Sequence, residues 1–138
     1  MKLSTSIDKT FRREASLETE GVWFDYGPIQ LKMARAGGGN KKYAASLAKR
    51  MKPYQGALQF DSLPQETRER IIQEVYAEAV ILDWKDVLDD NEEPIPFTYE
   101  NVIDLLQSYP EIFNMVLTEA TRFSNFKFAE DEYTVKNS

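Results

Sequence analysis

Val80-Ile81-Leu82-Asp83-Trp84-Lys85-Asp86-Val87, an acidic turn from Leu88 to Glu93, and Pro94-Ile95-Pro96-Phe97-Thr98 form the stretch on which the reading of this chain turns. Just upstream, Ile71, Ile72, Val75, Tyr76, Ala79 and Val80 recur at helical spacing. Ser62-Leu63-Pro64-Gln65 has the form of a capping box with a proline in the first turn. Together these signs predict one long helix from Ser62 to about Val87, the spine of the core. The prolines at 94 and 96 stiffen the link that follows, and Thr98 is placed to cap the next helix. Val102, Leu105 and Leu106 share one face of that helix. Ser108-Tyr109-Pro110-Glu111 repeats the capping pattern, so a sharp break is expected there. Beyond it, a last helix would bury Ile112, Phe113, Val116, Ala120 and Phe123.

Working outward, the N-terminal side reads differently. Val22 to Asp25 suits a short strand, and Ile29, Leu31 and Met33 alternate with Gln30 and Lys32 in the period of a second. Tyr26-Gly27-Pro28 supplies turn chemistry, so residues 21–36 are expected to form a β-hairpin. Gly37-Gly38-Gly39 lacks the spacing of a phosphate loop and reads as a flexible joint. Asn40 is a candidate N-cap for a helix with Tyr43, Leu47 and Met51 on one stripe, stopped by Pro53. Residues 1–20 are polar and charge-dense, with Ile7, Phe11 and Leu17 as spaced anchors. They read as a flexible arm that orders only against the domain or a partner. Residues 54–61 read as a connector and 129–138 as a frayed acidic tail. The expected fold is mainly α with a small N-terminal β-hairpin (α+β), residues 37–128 making a compact bundle of about four helices.

Composition narrows the chemistry. The 138 residues carry a net charge of -6, so a phosphate backbone is repelled and nucleic-acid binding is not expected. The basic cluster Lys41, Lys42, Lys49, Arg50 and Lys52 has no interleaved aromatics and reads as a solvated helix face. With no cysteine there are no disulfides, thiolate nucleophiles or thiolate metal sites. With no histidine the usual neutral-pH base and the commonest transition-metal ligand are missing. The N-terminus has no apolar run of the secretory type, and no stretch nears the ~20 apolar residues of a membrane span. A soluble, cytoplasmic chain without cofactor is expected.

Four features of the sequence suggest sites. Counted from Asp89, the oxygens of Asn91, Glu93 and Glu100 fall at positions three, five and twelve of a calcium loop, but Pro94 stands where glycine is needed. Asp83 and Asp86, three apart on the expected helix and with Asp104 in reach, could form a carboxylate pair, yet nothing signals a pocket around them. Trp84 and Phe97 flank the acidic turn and are expected to pack together, with a partner-binding patch as the alternative. If Val22 and Phe24 face the core, Trp23 faces out as a contact site. Trp23, Trp84 and Phe97 are therefore the partner-binding candidates, and no catalytic, metal or cofactor residue is assigned.

The order of these features resembles the tail assembly chaperones of long-tailed bacteriophages. It is carried by Glu20-Gly21-Val22-Trp23, Arg35-Ala36-Gly37, the Asn40 to Tyr43 segment, Leu82-Asp83-Trp84, Pro96-Phe97-Thr98, Glu100-Asn101 and Tyr109-Pro110. The resemblance implies a non-enzymatic protein of the host cytoplasm, absent from the mature virion. Its client would be the long, helical tape-measure protein, kept soluble until the tail tube polymerises. It also implies contact with the tail-tube protein, self-association around the client, and a longer product from a ribosomal slip, for which Val135-Lys136-Asn137 permits a run of adenines. The alternative is a structural tail-completion or head–tail connector protein of the virion.

Overall fold

Alternation in the sequence becomes alternation in burial along the two N-terminal strands. β1 (Val22–Tyr26) and β2 (Ile29–Met33) pair antiparallel, Val22 opposite Met33 and Tyr26 opposite Ile29. Asp25 Oδ1 accepts from the Gly27 amide at 3.0 Å, and Gly27 takes φ +77°, the left-handed turn conformation that favours glycine. The computed structural model describes residues 2–12, 14–54 and 60–127. The tail at 129–138, the slip site within it and most of the 54–61 connector lie outside these.

The predicted long helix is two elements. α4 runs only from Gln65 to Ala79, and Ile81–Lys85 forms strand β3, antiparallel to β2 on the side away from β1. The reason is competition for the same residues. Val80-Ile81-Leu82 is a short apolar run that periodicity alone does not assign to either state. β2 is buried at Leu31 and Met33 and needs a second hydrogen-bonded neighbour. The Ala34 amide donates to the Val80 carbonyl at 2.8 Å, just where the helix gives way to the strand. The hairpin is thus part of a three-stranded sheet.

Before the sheet lie two short helices, α1 (Thr5–Phe11) and α2 (Ala15–Glu20). After it come α3 (Lys41–Met51), α4, and then α5 (Tyr99–Ser108) and α6 (Pro110–Thr121) beyond β3. The fold is α+β. Four longer helices pack in sequence order, α3 on α4, α4 on α5 and α5 on α6, against the inner face of the sheet. The main core joins Leu31 and Met33 to Tyr76, Val80, Ile81, Trp84, Val102, Leu106, Phe113 and Val116. A smaller cluster of Leu63, Ile71 and Val75 seats Tyr43, Leu47 and Met51 of α3. α4 therefore uses both flanks of its apolar face.

The caps hold in part. Thr98 Oγ1 accepts from the Asn101 amide at 3.1 Å, as predicted. Ser62 and Ser108 do not cap, since α4 starts after Pro64 and α6 after Tyr109, neither with a side-chain cap. Asn40 also makes no cap bond. Its Nδ2 donates to the Arg35 and Ala79 carbonyls at 2.9 and 2.8 Å, stitching the end of the hairpin to the end of α4. In the N-terminal twenty residues, α2 is docked and α1 is not. Glu18 of α2 is 1% exposed and pairs with Arg35, whose guanidinium lies over the Phe123 ring. α1 buries none of its residues. Among the described residues no helix is long and apolar enough to cross a membrane.

Candidate binding groove

The acidic turn, the turn end of the hairpin and the α5–α6 corner enclose a groove of about 740 Å³. Tyr26 and Ile29 supply one wall from the sheet, Val87, Leu88 and Ile95 a second, and Leu105, Tyr109 and Ile112 the third. Trp84 lines it from the inner face of β3. Its charged lining residues are Asp86 and Asp104, neither of which forms an ion pair among the described residues. Leu88 and Tyr109 stand 46% and 58% exposed at the rim.

Local chemistry holds the walls in place. Asp89 Oδ1 accepts from the Asn91 and Glu93 amides at 2.8 and 3.0 Å, and the Ile95 amide donates to the Val87 carbonyl at 2.8 Å. The carboxylate that opened the calcium-loop count is thus bonded to the loop's own backbone. Trp84 Nε1 donates to the Ile95 carbonyl at 3.0 Å, and its ring meets Phe97 edge-on at 5.4 Å. Asn101 Nδ2 reaches back to the Pro96 carbonyl at 2.9 Å. The Pro94–Thr98 strap is tied at both ends, so the groove is preformed.

The three candidate contact residues take different places. Trp84 is buried and shapes the groove's floor, and Phe97, 37% exposed, braces it from outside. Trp23 is 38% exposed on the outer face of the sheet, with Lys85 Nζ over its ring at 4.1 Å, away from the groove. The carboxylates are parted as well. Asp83 is exposed on β3 and accepts from the Trp84 amide, while Asp86 lines the groove with Asp104, so the predicted helical pair does not form. Leu88 and Tyr109 carry no sequence signal of a site, since Leu88 sits within an acidic turn and Tyr109 reads as punctuation before Pro110, while Ile112, expected in the core, lines the groove.

The basic cluster on α3 is partly spent inside the fold. Lys49 and Arg50 both reach Glu78 of α4, at 3.1 and 3.0 Å, and Arg50 also donates to Ser46 Oγ and Tyr99 Oη. Hydrogen bonding from Arg50 is the main cause that holds the Glu78 carboxyl down to about 2, with Ser46 and Lys49 helping and burial opposing.

The sequence pattern of the YdaY prophage protein family matches residues 38–137. The chain belongs to this family. It is therefore phage-derived. No curated protein and no solved structure matches the chain. The matched stretch of this YdaY-family chain begins at Gly38, so it includes the groove's lining except Tyr26, Pro28 and Ile29. The arm and the hairpin lie before it.

Proposed function

We propose that this prophage protein is a tail assembly chaperone, and that its groove receives the apolar face of a helix of the tape-measure protein. The observation that carries the reading is the groove itself, preformed, lined with aliphatic and aromatic side chains and open at the surface. A helix-in-groove complex uses such a surface, with anchors at i, i+3 or i+4 and i+7 on the incoming helix. The net charge of -6 would keep the loaded complex soluble by repulsion between bound copies. In this reading the protein works in the host cytoplasm, does no covalent chemistry and is absent from the mature particle.

The test is co-expression with the tape-measure protein of the same prophage. The large protein should become soluble and elute with this chain. Leu88→Arg or Tyr109→Arg, each at an exposed rim position, should lose it while leaving the fold intact. A client that aggregates regardless, with the chain present in purified particles, would favour the structural tail-completion or connector role.

A further inference from the structure

Among the described residues, α1 is a helix with no buried residue. Ile7 and Phe11 lie one turn apart on one face, 41% and 67% exposed, and Leu3, just before the Ser4 cap, is 52% exposed. Seven helical residues are too few to hold together in water unaided, since isolated helices below ~12 residues are marginal. Ser4 Oγ caps the start, accepting from the Ile7 amide, and Asp8 pairs with Arg12 one turn on. Such local bonds contribute only a few tenths of a kcal/mol each for an exposed pair. Among the described residues nothing buries the element's apolar pair, Ile7 and Phe11.

We infer that α1 of one copy docks in the groove of a second copy. Charge selects the occupant. Residues 2–12 carry Lys2, Lys9 and Arg12 against Asp8 alone, a basic segment on an acidic chain. The groove's charged lining residues are Asp86 and Asp104. Shape agrees, for Ile7 and Phe11 supply an i, i+4 pair of the kind that helix-in-groove sites read. A groove of about 740 Å³ lies within the range of preformed binding sites, ~300–1,000 Å³.

Anchoring roots the arm at the opposite end of the hairpin from the groove, which favours the groove of a second copy. Glu18, paired with Arg35 and accepting from the Gly39 amide at 3.3 Å, fixes α2 at the open end of the hairpin, where Val22 faces Met33. The groove sits at the turn end, beyond Tyr26 and Ile29, and none of its lining comes from residues 2–20. Because the arm of one copy enters a different surface on the next, the contact either closes reciprocally into a two-fold dimer or runs head to tail into rings or open chains. It shares the groove with the chaperone reading but requires no client. A tape-measure helix would compete with the arm, so the docked arm covers the apolar surface until the client arrives.

The chain has no cysteine, which makes the test direct. Full-length Phe11→Cys and Tyr109→Cys variants are mixed and mildly oxidised without any client. Docking gives a mixed disulfide dimer in excess over both like dimers, lost when Ile7→Asp is added to the arm-bearing chain. In parallel, the mass of the wild-type chain should rise with concentration in sedimentation. Ile7→Asp and Leu88→Arg should each weaken that association by more than about tenfold, as removing an interface anchor does. A monomeric wild type would overturn the inference, as would association indifferent to both substitutions. So would a chain carrying both cysteines that closes on itself as a monomer. Failure of client binding alone would leave it standing.

Discussion

Gly38 shows how one residue decides whether the N-terminal segment docks. It takes φ +53°, and a Cβ there would overlap the Glu18 carboxylate and the Arg35 guanidinium. The glycine run read as a flexible joint is therefore a close-fitting seat for a buried ion pair. Gly38→Ala should lower stability by at least ~2 kcal/mol, combining backbone strain with displacement of that pair. Gly27→Ala is the control, because Gly27 has φ +77° with nothing within 4 Å of an added Cβ. It should cost only about 1 kcal/mol, and chemical denaturation of both variants gives the comparison. Equal losses would mean that the seat contributes nothing beyond backbone strain. Tyr26 predicts the opposite sign. Its hydroxyl is buried with no hydrogen-bond partner among the described residues, and burial with the nearby Glu119 raises its pKa far above the ordinary tyrosine range. Tyr26→Phe removes an unsatisfied polar atom and keeps the ring, so denaturation should show a gain of about 1 kcal/mol. A loss of similar size would show that the hydroxyl is paired after all.

At the level of elements, the sequence was readable where a local signal had no competitor. The hairpin's alternation, the Thr98 cap, the break at Tyr109-Pro110 and the stripe of α3 all stand in the structure. The end of α4 was not readable, since Val80 to Leu82 satisfies a helix and a strand equally and the choice falls to β2, fifty residues earlier. Docking of α2 depended on a pairing between Glu18 and Arg35 that no periodicity encodes. The groove shares that limitation, its walls being brought together from three separate parts of the chain. The contact between α3 and α4 carries its own prediction. Glu78 has a folded-state pKa of about 2 against 4.5 for a free carboxyl, so it binds protons less readily in the native state. The resulting stabilisation is complete above about pH 5 and is lost as pH falls through 4.5 toward 2. Stability of wild type and Glu78→Gln, measured by denaturation from pH 7 to 2, should differ by a constant amount above pH 5 and converge below it. A gap that stays unchanged down to pH 2 would remove the Arg50–Glu78 bond from the account.

For the whole molecule, an acidic α+β body offers a preformed, largely apolar groove, and a basic arm precedes its hairpin. Those two features suit a protein that binds helices in sequence along a long partner. Phage origin sets the setting in which the client is sought, and the groove sets the kind of segment it would present. Mutation at the outer face of the sheet gives a useful contrast. Trp23→Ala should leave client binding within about twofold of wild type, because that ring stacks under Lys85 and lies outside the groove. The most direct measurement is amide hydrogen exchange on the Ile7→Asp variant, whose groove is left uncovered by the arm, with and without helical segments of the tape-measure protein. The account predicts protection confined to residues 26–29, 86–95 and 104–112, with the outer face around Trp23 unchanged. Protection centred on Trp23 and Lys85, with the groove exchanging as before, would contradict it.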